Sequence, residues 1–292
     1  EIELAVRHDM IPAISSLETA EKLNREAARG NRILDVMVKL DTGMGRFGFL
    51  PDVALDAIRR IDAMSNLRVS DLFSHFPIGR DPKHPVTLRQ LALFKRILAG
   101  AKASGVNVRH AHIANSDAIA SCPESIRAPF TAARVGIGLY GYCESPEPVG
   151  LRPAVSLRTR VIAVRRLPAG ATIGYECTRT LEKDTTVALV SAGYADGLPL
   201  QLSNHADVLI RGRRCRILGR ISMDYTEVSL DPLHGEVPEV GEVATLLGDD
   251  GAERASAEDW ARLKGSHAYD VLCSLHGRTK RIVVHDGDKV SP

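Results

Sequence analysis

Two periodicities alternate through the first half of the chain. Short apolar or alternating runs over residues 11–15, 36–41, 69–75, 109–114 and 133–137 predict five strands. Between them lie amphipathic stretches. Residues 17–29 carry apolar side chains at 17, 20, 23, 27 and 28, residues 51–64 open on a proline in the first turn, and residues 88–103 repeat Leu and Phe at helical spacing. Strands exchanged with helices in this way imply a parallel sheet with helices outside it, either an open doubly wound sheet or a (β/α)8 barrel.

The pattern changes near Pro146-Glu147-Pro148-Val149-Gly150. Beyond it, β-branched runs at 186–191, 208–211 and 216–218 recur between turn residues, and Arg211-Gly212-Arg213-Arg214 reads as a hairpin turn. One strong helix is expected, over 256–263 around Trp260. The organisation expected is therefore α/β followed by all-β, with residues 1–148 as a partial barrel and 149–292 as a β domain. Five strands fall short of the eight a closed barrel needs, which predicts that about three βα units are missing from the start of the barrel.

Composition narrows the function. Lys and Arg number 38 against 36 Asp and Glu, a net charge of +2, and no concentrated basic face suggests nucleic acid as a partner. No apolar run approaches the ~20 residues of a membrane span. Glu1 to His8 reads as the tail of a helix rather than as a signal peptide. The cysteines at 122, 143, 177, 215 and 273 form no Cys-x-x-Cys pair, which argues against a zinc ribbon and favours a reducing, cytoplasmic setting. His110 and His112 share a strand face but lack a third ligand at metal spacing, so no metal is expected and both are read as polar positions near a barrel rim.

Gly43-Met44-Gly45-Arg46-Phe47-Gly48 matches the dinucleotide fingerprint G-x-G-x-x-G, which would make the chain a nicotinamide enzyme. In that fingerprint a helix starts inside the glycines and offers its amides to a pyrophosphate. Here Phe49 and Leu50 intervene, and the helix starts best at Pro51. A tight glycine-rich βα turn is the better local reading, with Lys39 and Asp41 as charges at the end of a barrel strand.

The longer string from Lys39 to Phe49, Lys-Leu-Asp-Thr-Gly-Met-Gly-Arg-Phe-Gly-Phe, resembles the signature of the alanine racemase family. Further matches follow in family order: Ser74-His75-Phe76, His112-Ile113-Ala114-Asn115-Ser116, Arg134 to Gly141, Ile173-Gly174-Tyr175, Gly193 to Gly197, Gly219 to Asp224, and Ala268-Tyr269-Asp270. The resemblance covers essentially the whole chain. It implies a barrel followed by a β domain, a homodimer whose active sites are shared between subunits, and pyridoxal 5'-phosphate (PLP) as cofactor. The implied reaction interconverts L- and D-alanine and supplies D-alanine for peptidoglycan.

The roles it implies are specific. Racemisation needs proton donors and acceptors on both faces of the α-carbon, and the resemblance assigns them to Tyr175 and to the cofactor-bearing lysine. A phenol titrates near about 10, so a tyrosine base needs a cationic neighbourhood, here His75 and Arg134. Arg134 also meets the cofactor's ring nitrogen. Ser116, Gly136, Ile137 and Tyr269 correspond to phosphate contacts, with Asn115 beside them. Arg46 holds the substrate carboxylate and the cofactor's phenolic oxygen, Met223 meets the same carboxylate, and Asp224 lies at the entrance. Lys39 matches a lysine that family members often carry as a carbamate. Read locally, Tyr175 is better taken as a packed strand tyrosine, and Ser116 is equally a helix cap.

Nothing in the sequence matches the Lys-Ala-Asp-Ala-Tyr-Gly context of the family's cofactor lysine, so the chain alone is expected to be inactive. Glu176-Cys177 and the residues after Phe76 depart from the common family pattern. These departures leave room for racemisation of another small amino acid such as serine, or for an inactive truncated paralogue. Related decarboxylases would show a Gly-Glu-Pro-Gly-Arg string, and none occurs.

Overall fold

The computed structural model describes residues 1–145, 149–275 and 277–284. The chain divides into two compact units, Glu1–Arg152 and Pro153–Pro292. Residues 146–148, where the sequence changes character, lie outside the described residues.

The first unit runs α1 (Ile2–Arg7), β1 (Ala13–Ile14), α2 (Leu17–Arg29), β2 (Leu34–Lys39), α3 (Pro51–Asp62), β3 (Leu67–Phe73), α4 (Pro85–Ala103), β4 (His110–His112) and α5 (Ser116–Ser121). Local chemistry sets the helix starts. The Ser16 hydroxyl accepts from Thr19 N–H at 3.2 Å, and Pro51 and Pro85 occupy first-turn positions where a missing N–H costs nothing. The four strands pair in parallel in the order β1-β2-β3-β4.

Because side chains alternate along a strand, one sheet face packs on the helices and the other carries the chemistry. Val36, Val38, Leu72, Ala111 and Ile113 form one core with Leu23, Ile58, Ile61, Phe94 and Leu98. On the other face the register lines up Met37, Asp71 and His110, and then, toward the carboxyl ends, Lys39, Phe73 and His112. Barrel interiors are usually filled with branched apolar residues. This face is polar where the strands end.

The fifth expected strand, residues 133–137, does not form. The backbone there makes two isolated bonds to the β4 segment, Thr131 N–H to Ala111 O and Arg134 N–H to Ala114 O, both 3.0 Å, and then tightens into a 3-10 turn at Ile137–Tyr140. The amides of Gly136 and Gly138 go to the Ser116 hydroxyl instead of a sheet ladder, so pairing cannot propagate.

The second unit contains β5 (Leu157–Leu167), β6 (Thr172–Ile173), β7 (Arg179–Thr180), β8 (Thr185–Val190), β9 (Asp207–Ile210), β10 (Arg213–Leu218), β11 (Thr226–Ser229), β12 (Val243–Asp250), β13 (Glu253–Ala255), α6 (Ala257–Lys264) and α7 (Ala268–Ser274). Seven strands pair antiparallel in the order β13-β12-β5-β8-β11-β10-β9, and an extra β12–β9 pairing closes six of them into a ring. Closure removes the free edges that an open sheet would present. The hairpin expected at Arg211-Gly212 is a two-residue turn with φ +52° and +68° at those positions, the twist that suits such hairpins. Arg211 tolerates its left-handed backbone while its guanidinium grips Glu242 through two bonds of 2.7 and 2.9 Å. Helix α7 was not expected, because seven residues are too few to show a helical period.

Candidate active site

The glycine-rich loop leaves the end of β2 and returns to it. Asp41 N–H donates to Phe49 O and Phe49 N–H to Lys39 O, each at 2.9 Å. Gly48 sits in this closure at φ +123°, where a Cβ would lie 2.9 Å from backbone atoms of both Lys39 and Asp41. Within the loop the Asp41 carboxylate accepts from the amides of Gly43, Met44 and Gly45 at 3.0, 2.9 and 3.1 Å. Burial alone would raise its pKa, but these amide bonds and the Lys39 charge together hold it below the usual value. The amides that a nucleotide phosphate would need are thus filled by the protein's own carboxylate. That observation, with the helix starting at Pro51, turns the loop away from dinucleotide binding.

Lys39 ends β2 where this loop begins, and Arg46 lies within the loop. Lys39 is buried, donates to Leu40 O at 2.7 Å, and lies 5.6 Å from the ring centres of Phe47 and Phe73. Burial lowers its pKa to about 8; Asp41 opposes the shift, and the positive charges of Arg134 and Arg46 reinforce it. Arg46 is exposed at the tip, its guanidinium 5.3 Å over the Phe47 ring.

Arg134 gathers the strand ends. Its guanidinium donates to Ser74 O at 2.5 Å, His112 O at 3.3 Å, His75 Nδ1 at 3.2 Å and, in a short contact, His112 Nδ1. An arginine has only donors, so both histidines must present a bare Nδ1 and carry their proton on Nε2. Burial and then the Arg134 charge push both rings down to about 4, with Arg46 and Lys39 adding to the effect on His75, while Asp71 opposes it at His112. Burial and the Arg46 charge lower Arg134 to about 10, which leaves it a cation at neutral pH. Phe73 stacks on His112, with ring centres 5.4 Å apart, and lies 5.2 Å from the Arg134 guanidinium carbon.

Beside this cluster, the buried Ser116 hydroxyl accepts from Gly136 N–H at 2.9 Å and Gly138 N–H at 3.1 Å. With both lone pairs engaged, its proton is free to donate to an incoming anion. Gly136 leaves the approach open, since a Cβ there would find its nearest neighbour at 3.9 Å. The Ile137 side chain is buried, so only its backbone is available to a ligand. Asn115 is structural here: its Oδ1 caps α5 through Ala118 N–H at 3.0 Å.

In the second unit Tyr175 stands 70% exposed on a loop between β6 and β7. The loop is fixed from below. Gly174, at φ +73°, has no room for a Cβ because Arg220 N would be 2.7 Å away, and Glu176 pairs with Arg220 at 2.6 Å. Met223 is exposed, in a segment whose carbonyl accepts from Ala195 N–H at 3.0 Å. Asp224 is bonded to Arg278 at 2.6 Å, and Arg278 also holds Asp196. The Tyr269 ring meets His267 edge-on, with centres 5.5 Å apart.

Reading from sequence missed His112 as part of the site. Its place two residues after His110 marks it as sharing the inner face, but only the fold brings Arg134 onto it. It also missed Gly138, whose amide serves the same hydroxyl as that of Gly136.

Cationic side chains gathered at the carboxyl ends of parallel strands, followed by a separate β domain, define an enzyme of the barrel-plus-β-domain type. Residues 1–144 match the family described as alanine racemase, N-terminal domain, and residues 154–283 that described as alanine racemase, C-terminal domain. The alanine racemase of Clostridium novyi (strain NT) is 31% identical, with 99% of this chain and 75% of that protein covered. That of Mycolicibacterium smegmatis is 38% identical, with 98% and 74% covered. Among solved structures, alanine racemase from D-cycloserine producing Streptomyces lavendulae superposes with a TM-score of 0.90 at 34% identity, covering 97% of this chain and 75% of that one. The structure from Bartonella henselae, with covalently bound pyridoxal phosphate, gives 0.83 at 28% identity, covering 97% and 75%. The chain belongs to the alanine racemase family, a family of isomerases.

The neutral histidines make a prediction about stability. A histidine titrating near 6.5 when unfolded and about 4 when folded binds its proton preferentially in the unfolded chain, so its contribution is complete above 6.5 and is lost as pH falls. The denaturant midpoint should fall between pH 6.5 and 5, above the range of the carboxylates. Replacing His75 and His112 together by glutamine should flatten that slope; a midpoint independent of pH in this window would contradict the assignment.

Proposed function

We propose that this chain forms part of a PLP-dependent racemase that interconverts L- and D-alanine by two bases. The observation that carries this reading is the Arg134 cluster: a guanidinium held by neutral histidines and carbonyls, near two further cations and beside a hydroxyl set to donate. Such a place suits a ligand that is anionic and aromatic. The residues fit PLP accordingly: Ser116 and the amides of Gly136 and Ile137 for its phosphate, joined by Tyr269, with Asn115 bracing Ser116, and Arg46 for its phenolic oxygen. When bound, PLP spreads the negative charge of a deprotonated α-carbon over its ring.

The chain's own groups supply the rest. Arg134 would donate to the ring nitrogen and, because a guanidinium gives up its proton reluctantly, would leave that nitrogen unprotonated. Arg46 and the Met223 amide hold the substrate carboxylate, and Asp224 lines the entrance. Tyr175 exchanges the α-proton on one face. We assign the opposite face to the lysine that bears the cofactor in the family pattern.

The Lys39 amine, with its lowered pKa, is neutral in a substantial fraction near pH 8 and can attack carbon dioxide. The nitrogen lone pair forms the new N–C bond as one C=O π bond of carbon dioxide opens onto oxygen, and the surplus nitrogen proton passes to solvent, giving a carbamate whose negative charge orients Arg46 and offsets the surrounding cations. The exposed faces of Tyr175, Tyr194 and Met223 suit burial in a homodimer, in which Tyr175, Met223 and Asp224 of one subunit serve the other's site. Among the described residues no helix is long and apolar enough to cross a membrane. We place the enzyme in the cytoplasm, supplying D-alanine for peptidoglycan.

Two measurements test this. In the full enzyme, Tyr175→Phe should slow exchange of the α-proton of one alanine enantiomer with deuterated water by about 10²–10⁴-fold and spare the other; equal loss for both would sink the two-base reading. With ¹³C-labelled bicarbonate, a carbamate carbon signal should appear and vanish in Lys39→Ala. If no such signal appears, Lys39 is a plain amine.

A further inference from the structure

Beneath the site lies a buried polar chain that no role assigned so far uses. Gln90 on α4 is fully buried. Its Nε2 lies 3.1 Å from His75 O and 3.3 Å from Thr42 Oγ1. Thr42 Oγ1 is 2.7 Å from Ser74 Oγ, and Ser74 Oγ donates to Leu40 O at 2.8 Å. The direction of this chain is determined. A carbonyl only accepts, so the Ser74 proton goes to Leu40; the Thr42 proton then goes to Ser74, and Thr42 accepts from Gln90. The second Gln90 N–H is spent on His75 O.

We propose that Gln90 is a positioning residue, whose two N–H groups tie the Arg46-bearing loop to the strand end that carries His75. It touches neither substrate nor cofactor. It acts through Thr42, the first loop residue after Asp41, and through the backbone of His75, whose neighbour Ser74 offers its carbonyl to Arg134. The loop rests on its stem: a Cβ on Gly43 would lie 3.4 Å from Gln90 Cγ. The Gln90 Oε1 atom is buried with no partner among the described residues. An orphaned buried acceptor is costly, and core packing alone would be served at least as well by an apolar side chain of this length. What only a carboxamide adds is a pair of donors at a fixed separation, one for each side of the site.

The consequence for catalysis rests on the reading of Arg46 as the carboxylate ligand. The test therefore uses the full enzyme with Gln90→Met, which keeps length without donors, Gln90→Glu, which replaces donors with acceptors, and Thr42→Val, which cuts the chain at its other end. Arg46→Ala serves as reference. Two readouts are followed: KM and kcat for alanine, and hydrogen exchange of the loop amides at 43–45.

With Gln90→Met we expect loop exchange and KM each to rise about tenfold while kcat changes much less, since a displaced clamp weakens substrate placement. Gln90→Glu should be worse. Thr42→Val should reproduce Gln90→Met, and the double variant should add little to either. Unchanged exchange and KM in folded Gln90→Met would overturn the proposal, whatever happens to the melting temperature. If Gln90→Met fails to fold, Thr42→Val decides in its place by the same two readouts. Should Arg46→Ala leave KM unaltered, the carboxylate reading fails separately, and loop exchange still decides the role of Gln90.

Discussion

A half-buried guanidinium with no carboxylate among its four acceptors is the constraint around which the first unit is arranged. Arg134 reaches two histidine nitrogens and two main-chain carbonyls, and each can accept only if the strand ends keep their present spacing. Taking a charge out of water costs several kcal/mol unless its hydrogen bonds are met. Here they are met by neutral groups, so the positive charge is solvated but not cancelled. Lys39 and Arg46 add to it, and the Asp41 carboxylate that acts on Lys39 is already turned into its own loop. The site is therefore an electrostatic well suited to an anion, at some cost in stability to the protein that holds it.

The same constraint explains the division of labour between the two sheet faces. The helix-facing side is a continuous apolar core and carries the stability. The opposite side is free to place Lys39, Phe73 and His112 in one row at the carboxyl ends, where loops can add Arg46, His75 and Arg134. In the second unit, a closed antiparallel ring presents Tyr175 and Met223 on loops whose backbones allow no Cβ at Gly174 or Gly193. Glycines hemmed in this way fix the backbone beneath these exposed side chains.

Much of this was legible in the residues, for identifiable reasons. Helices α2 and α3 announced themselves by apolar spacing and by Pro51, and the glycine-rich loop was separated from a nucleotide fingerprint by where its helix begins. Local pattern failed where tertiary contacts decide. Residues 133–137 look like a strand, but the Ser116 hydroxyl takes the amides that a ladder would need. His112 looks like a rim residue until Arg134 folds over it. Gln90 sits in an ordinary helical repeat, and nothing in its neighbours in sequence shows that its amide faces Thr42 and His75. Glu176 and Cys177 adopt left-handed backbones at φ +63° and +51°, which nothing in their own sequence announces. The Arg220 pair beside Glu176 emerges only in three dimensions.

The whole site turns on which protons the two histidines carry. Nitrogen-15 NMR of the imidazoles at about pH 6, half a unit or so below the ordinary histidine pKa, reads this directly, in the protein labelled at histidine and assigned through single His75 and His112 substitutions. Both rings should appear neutral, with the proton on Nε2 and a bare, hydrogen-bonded Nδ1. A doubly protonated ring at either position, or a proton on either Nδ1, would mean that Arg134 is held some other way.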